Sequence, residues 1–332
     1  MQKRIVRLEG AYLSCAASVV GKHEADGPLG DLFDIRDTTD SFGAETWEKA
    51  ESAMQKRAFL EMLKKSGRGV GEVGALFAGD LQNQCVGSSY GLMEFDVPYF
   101  GLYGACSTAA EGLMLAAMCV SAGHFERAAA VTSSHYLAAE RQYRTPIEYG
   151  AQRSPTAQWT VTGSAAFLVE NKGDVRISEA MPGIVVEKGI VDASNMGAAM
   201  APAAMDTVMR YFGESGGALS DIGAVVTGDL GYEGGSILCE MLSAEGLDIS
   251  DRYVDCGMLI YDRERQDKHA GGSGCGCSAV LLAAYYLEKL RRGELKNMLF
   301  IGTGAMMSPS SIQQGLAIPA VAHLLKIERK GN

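Results

Sequence analysis

Proline is scarce in this sequence of 332 residues: 8 prolines stand against 41 glycines. That composition excludes collagen-like and polyproline chains. With 47% hydrophobic residues, the glycines belong to close backbone approaches and tight turns rather than to a disordered linker. Basic charge is also in short supply, with 30 Lys and Arg against 40 Asp and Glu, a formal charge of −10, and no block of five like charges. A nucleic-acid binder needs a basic stripe to neutralise phosphates, so that class is excluded. The longest apolar runs, 113–120 and 279–287, fall far short of the roughly 20 residues that span a bilayer. No apolar stretch of signal-peptide length follows Met1-Gln2-Lys3-Arg4, so neither a signal peptide nor a transmembrane segment is expected.

The 8 cysteines include no Cys-x-x-Cys pair, and Cys275 and Cys277 are a single residue apart. Zinc sites space their paired cysteines by two to four residues, so no metal site is expected and the thiols read as small buried hydrophobes. The length suits two core-forming units or one duplicated unit.

Two stretches carry the same signals in the same order. Each opens with an apolar run ending in Gly-Asp, at Gly79-Asp80 and Gly228-Asp229. Each proceeds to a small-residue turn with a cysteine (Gly104-Ala105-Cys106-Ser107, then Gly274-Cys275-Gly276-Cys277), an apolar helix-period run and a short strand, at 128–132 and 298–302. Cys106 lies 25 residues before Val131, and Cys275 lies 26 before Ile301. Matching order and spacing predict a duplicated βαβ-rich unit. The polar turn at 171–174 divides the chain into halves 1–172 and 173–332. Residues 44–65 predict a long amphipathic helix with Trp47, Ala50, Met54, Ala58 and Met62 along one side, and 201–212 predict its counterpart.

Cys106 stands out chemically because it opens a helix just after a Gly-containing turn. A thiol there meets the positive end of the helix dipole, which favours thiolate, and the same unpaired N–H groups attract a carboxylate. The position therefore serves either a nucleophile or an anion pocket. A nucleophile needs a proton acceptor. Of the 5 histidines, His135 ends the strand after the Cys106 helix, where open α/β sheets place ligands, and His269 precedes the Gly-rich turn 270–274.

The stretch Gly104-Ala105-Cys106-Ser107-Thr108-Ala109-Ala110-Glu111-Gly112-Leu113, with a second Gly-rich turn before the last helix and strand, resembles the thiolase-fold superfamily. More specifically the chain resembles the stage V sporulation AD family. That likeness is carried by Ala78-Gly79-Asp80-Leu81-Gln82-Asn83-Gln84, Thr132-Ser133-Ser134-His135, Ala139-Glu140-Arg141-Gln142, Glu148-Tyr149-Gly150, Met200-Ala201-Pro202, Ala270-Gly271-Gly272-Ser273-Gly274 and Gly302-Thr303-Gly304-Ala305. The resemblance implies an α/β thiolase-like fold, two pseudo-duplicated βαβαβαββ halves in a five-layer α-β-α-β-α arrangement. It implies non-catalytic binding of dipicolinic acid (pyridine-2,6-dicarboxylate), free or as its calcium chelate, for uptake into the developing spore.

Further expectations follow from the family. They are a homodimer joined at the edge of the first-half sheet, partner subunits in the stage V sporulation A membrane complex, and a peripheral place on the inner spore membrane in the forespore. No cofactor is implied beyond calcium arriving with the ligand. The alternative is an acyl-transfer enzyme of ketoacyl synthase or thiolase type, with Cys106 as nucleophile and His135 or His269 as its base. In condensing enzymes a His/His or His/Asn pair faces the cysteine. Here Leu230-Gly231-Tyr232-Glu233 follows Asp229 without a histidine, and glycines stand where the asparagine is expected.

For a dicarboxylate, Arg141 and Arg144 offer bidentate partners and Tyr149 or Tyr143 a ring to stack on the pyridine. For the uncharged chelate, Asp80, Glu140 or Asp229 would complete an oxygen shell. The expected ligand-binding set is Cys106, Asp80, Ser107, His135, Arg141, Arg144, Tyr149, Gly271 and Gly272.

Overall fold

The computed structural model describes residues 4–143 and 153–331. Five strands build one sheet: β1 (Tyr12–Val20), β2 (Ala75–Gly79), β3 (Tyr99–Gly101), β4 (Arg127–Ser134) and β5 (Gly163–Glu170). Five more build the next: β6 (Val175–Met181), β7 (Ala224–Thr227), β8 (Tyr253–Asp255), β9 (Asn297–Ala305) and β10 (Ala320–Arg329). The first follows the path β1-β5-β4-β2-β3 and the second β6-β10-β9-β7-β8, the same path strand for strand. Directions repeat as well. The first two pairings on each path are antiparallel and the last two parallel. The sheets touch edge to edge through one antiparallel pair, Tyr12 with Arg176.

Seven helices matter for the site: α1 (Trp47–Ser66), α2 (Val86–Leu92), α3 (Thr108–Ser121), α4 (Tyr136–Tyr143), α5 (Met196–Ser215), α6 (Gly231–Ala244) and α7. The last begins at Cys275–Leu281, widens into a π turn over Leu282–Tyr286 and resumes at Leu287–Arg292. Helices α1 and α5 are both 20 residues long, start on a side-chain cap (Thr46, Asn195) and stop at a left-handed glycine (Gly67, Gly216).

Alternation along the strands sorts the core into layers. On β2 and β4, Ala75, Phe77, Ala128 and Ala130 face a central core with α3 and α7, while Leu76, Ala78, Ala129 and Val131 face α1. On β7 and β9, Val226, Met298 and Phe300 join the central core, while Val225, Leu299 and Ile301 pack on α5. The order is therefore α1 and α2, sheet, α3 and α7, sheet, α5 and α6. A helix pressed between two sheets keeps only a narrow partly exposed edge, here Glu111, Leu115, Met118 and Cys119, and small Ala109, Ala110, Ala116 and Ala117 fill the buried faces of α3.

Strand β4 outruns its expected end because its polar tail is fully partnered. Thr132 Oγ1 donates to Gly79 O, Ser133 Oγ to Glu51 and Ser134 Oγ to Val161 O. Among the described residues, no helix is long and apolar enough to cross a membrane.

Candidate functional site

The Gly104–Ser107 turn enters α3 through Ala105 in the left-handed region (φ 50°). Thr108 Oγ1 donates to Ala105 O at 2.7 Å and Ser107 Oγ donates to Gly104 O at 2.7 Å. The turn is also pressed from behind by β9 of the other half. A Cβ on Gly304 would lie 2.1 Å from Gly104 O, and one on Gly302 would lie 2.6 Å from the Ala110 methyl. Gly304→Ala must therefore move the backbone that carries Cys106, at a cost of about 2 kcal/mol. The expected result is a thermal midpoint lowered by about 3 °C in a calorimetric scan. An unchanged midpoint would show that the turn yields freely.

The sulfur is buried. Cys106 Sγ lies 3.8 Å from Ser273 Oγ, in an apolar cluster with Leu81, Ala105, Ala139 and Cys275. Behind Ser273 stands Asp229, fully buried at the end of β7. Its carboxylate accepts from Ser273 Oγ (3.0 Å), Gly274 N (2.9 Å) and Thr303 Oγ1 (2.8 Å). Burial, and then the charge of Asp229, push the Cys106 thiol well above its ordinary value. Burial raises Asp229 as well, against the hydrogen bonds that hold its charged form. This corrects the expectation of a thiolate: the dipole of α3 is outweighed by desolvation and by a carboxylate from the second half.

Over the cluster, Tyr143 Oη donates to Leu81 O, and the Tyr103 and Tyr143 hydroxyls meet at 2.8 Å. Tyr103 is exposed, so this pair forms the solvent side of the sulfur cluster.

The other expected site residues have varied surroundings. Ser107 is closed into its own turn. Asp80 points into the wall, accepting from Gln82 N (2.8 Å) and from Ser88 N and Oγ (2.7 and 2.6 Å). His135 makes no hydrogen bond to the sulfur. Its Nε2 meets Asp40 O at 2.8 Å, its ring stacks on Trp47, and its Nδ1 has no hydrogen-bond partner among the described residues. Burial holds this imidazole below its ordinary value. His269 is engaged elsewhere, by Ser154 O at 2.8 Å and Asp267 at 3.1 Å.

Arg141 pairs with Glu48 at 3.3 Å on an exposed face. Gly271 and Gly272 shape the backbone: Gly271 O accepts from Trp159 N, Gly272 O accepts from Gln158 Nε2, and Cβ atoms on the two would lie 2.6 and 2.7 Å from Gly257 O and Ile260. Arg144 and Tyr149 lie outside the described residues.

Sequence reasoning missed Ser273 and Tyr103 as neighbours of Cys106, and Thr303 as a partner of Asp229 behind it. It also missed a buried polar chain behind the site. Glu51 accepts from Gln82 Nε2 (2.6 Å) and Ser133 Oγ (2.8 Å), and Gln55 Nε2 donates to Ser88 and Ser133. Burial, then the charge of Asp80, raises Glu51 to about 8. The legible signal was Glu51 and Gln55, four apart, flanking Met54 and Ala58 on a buried stripe.

Among the described residues no group of three or more His, Cys, Asp or Glu is placed to hold a metal ion.

A family model described as stage V sporulation protein AD matches residues 2–328. The chain is 40% identical over 321 residues to stage V sporulation protein AD of Bacillus subtilis (strain 168), covering 96% of this chain and 95% of that protein. Among solved structures, OleA of Xanthomonas campestris superposes with a TM-score of 0.61 at 15% identity, over 97% of this chain and 99% of that one. A 3-oxoacyl-(acyl carrier protein) synthase III of Xanthomonas oryzae gives 0.57 at 15% identity, over 96% and 100%. Both have the thiolase-like fold, and this chain has it too.

Proposed function

Because the chain belongs to the stage V sporulation protein AD family, we propose that it is a receptor for dipicolinate, held at the Cys106 site and delivered to the developing spore. The observation that carries this reading is the wall facing the sulfur. Asp229, Ser273 and Thr303 occupy it, and neither His135 nor His269 hydrogen-bonds the thiol. A protonated thiol with a buried carboxylate and no imidazole beside it is a poor nucleophile, but it makes a good floor for a ligand.

Among the described residues, the polar groups around the sulfur are hydroxyls, thiols and one acid. A free dianion would be desolvated there without a countercharge, whereas a one-to-one calcium chelate carries no net charge. Calcium here is cargo travelling with the ligand. The tyrosine pair supplies the aromatic edge and the hydroxyl donors for a planar ring.

The protein acts at the inner membrane of the forespore by docking to membrane-embedded subunits of the stage V sporulation A complex. Strand β3 supports pairing into a homodimer: it is the outer edge of the first sheet, with Tyr99 and Phe100 exposed. An apolar open edge is a surface that soluble proteins normally cover.

Calorimetric titration tests the ligand. Dipicolinate with calcium should bind and raise the thermal midpoint by several degrees at saturation. Cys106→Ala should weaken the affinity at least threefold while leaving the fold intact. No heat and no midpoint shift with folded protein, or an acyl adduct on Cys106 after incubation with acyl-CoA, would overturn the proposal.

A further inference from the structure

The outermost layer of the second half departs from its twin in the first. Aligned from their first residues, α1 and α5 match in burial, with Ala50 against Ala199, Phe59 against Val208 and Met62 against Tyr211 all inside. Their outward faces differ. Where α1 carries Lys56 and Arg57, paired with Glu94 and Asp37, α5 carries Met205 and Asp206, and one turn later Met209. With Pro202 these fall at spacings of three and four, a stripe two turns long.

This stripe forms the floor of an open groove of about 680 Å³. Its walls are Met241 and Glu245 on the α6 side and 184–188 on the other, where Ile184 and Val185 are exposed, Val185 by 61%. Helices α5 and α6 touch closely near their starts, where a Cβ on Gly234 would lie 2.7 Å from Gly197 Cα. Both run from that crossing towards the groove.

We propose that this groove docks an amphipathic helix of a partner protein, with an apolar face of Leu or Ile and basic flanks. The shape calls for a helix: a two-turn stripe on one helix beside a second helix is the surface on which a third packs ridge into groove. Methionines suit such a seat because they adapt to the side chains inserted. The charge calls for basic flanks. Asp206 is neutralised by Arg210 at 2.6 Å; of the remaining charges that line the groove, Glu187 and Glu245 on opposite walls outnumber Lys188, and neither acid has an ion-pair partner among the described residues, in a chain of net charge −10. The inference does not depend on the ligand at Cys106.

The test is fluorescence anisotropy with the full chain and a labelled helical peptide of about four turns, ~15 residues, alternating Leu and Lys at helical spacing. A scrambled peptide of the same composition and a Leu/Glu counterpart serve as controls. The ordered Leu/Lys peptide should bind at least tenfold tighter than either control. Val185→Asp, at an exposed position that leaves the fold alone, should weaken it at least fivefold, and Met205→Asp should do the same. Hydrogen exchange should show protection at 184–188, 202–209 and 241–245. Equal binding of the scrambled peptide, indifference to Val185→Asp, or a change of oligomeric state in Val185→Asp would each overturn the proposal, the last by assigning the groove to a second copy.

Discussion

Asp229→Asn is expected to make Cys106 react with iodoacetamide 10- to 100-fold faster at pH 8, read as carbamidomethylation of the Cys106 peptide by mass spectrometry. The two groups share one small buried space in which burial already opposes charge on both. With the carboxylate ionised, a thiolate beside it would be a second anion in a low-dielectric pocket, so the sulfur keeps its proton. Asparagine keeps the volume and an acceptor oxygen for Ser273 Oγ and Gly274 N, turns its amide toward Thr303 Oγ1, which can accept instead of donate, and removes the charge. Its amide can also donate to a thiolate. Thiolate is the alkylated species, so the rate at fixed pH rises as the thiol pKa falls. The partly exposed Cys119 and Cys239 serve as internal references whose rates should not change. An unchanged Cys106 rate in folded Asp229→Asn protein would mean that burial alone protonates the sulfur.

The second large effect concerns stability against pH. Glu51 is buried and raised to about 8 from an ordinary 4.5, chiefly by desolvation and then by the nearby charge of Asp80. Of these two acids, Glu51 keeps the proton. Asp80 receives two backbone N–H groups and a hydroxyl, which favour its charged form, whereas Glu51 receives only an amide and a hydroxyl from side chains. The folded chain thus holds the Glu51 proton up to about pH 8, while the unfolded chain releases it near 4.5. Folding takes up a proton across that window, so stability is full below it and declines as the pH rises through it. The loss amounts to roughly 3–5 kcal/mol by pH 8.5. Glu24, raised by burial to about 7, tilts the curve the same way.

Glu51→Gln can donate to Ser133 and accept from Gln82 without any charge to bury. Denaturant unfolding from pH 5 to 8.5 should show a distinctly flatter curve for the variant and greater stability than the parent at the alkaline end. Parallel curves would rule out Glu51 as the titrating group.

The architecture was legible in the sequence because it is written twice. The Gly-Asp strand ends, the cysteine turns and the spacing to the following strand are local signals, and they recur as β2, α3 and β4 and again as β7, α7 and β9. Cys106 at the head of α3 was legible for the same reason.

Its chemistry was not. The thiol is governed by Asp229 and Ser273, more than a hundred residues away and brought in by the stacking of the two halves. Helix-dipole reasoning sees only the local half of that balance. Arg141 shows the same limit: it makes an ion pair with Glu48, at the start of α1 and some ninety residues earlier. His135 was rightly placed at a strand end, but what it meets there, Trp47 and the Asp40 carbonyl, comes from a segment some ninety residues earlier. Pairings across such distances are set by tertiary packing, which no local pattern encodes.

The sequence holds 2 tryptophans, and they lie against consecutive residues. Trp47 stacks on His135, and Trp159 lies flat on Tyr136 at 3.7 Å with the Lys268 ammonium against its ring. His135 immediately precedes α4 and Tyr136 opens it, the helix whose far end carries Tyr143 to the sulfur cluster. Any tilt of α4 therefore disturbs both indoles together, and the ultraviolet emission of the unlabelled protein becomes a built-in gauge of that single helix.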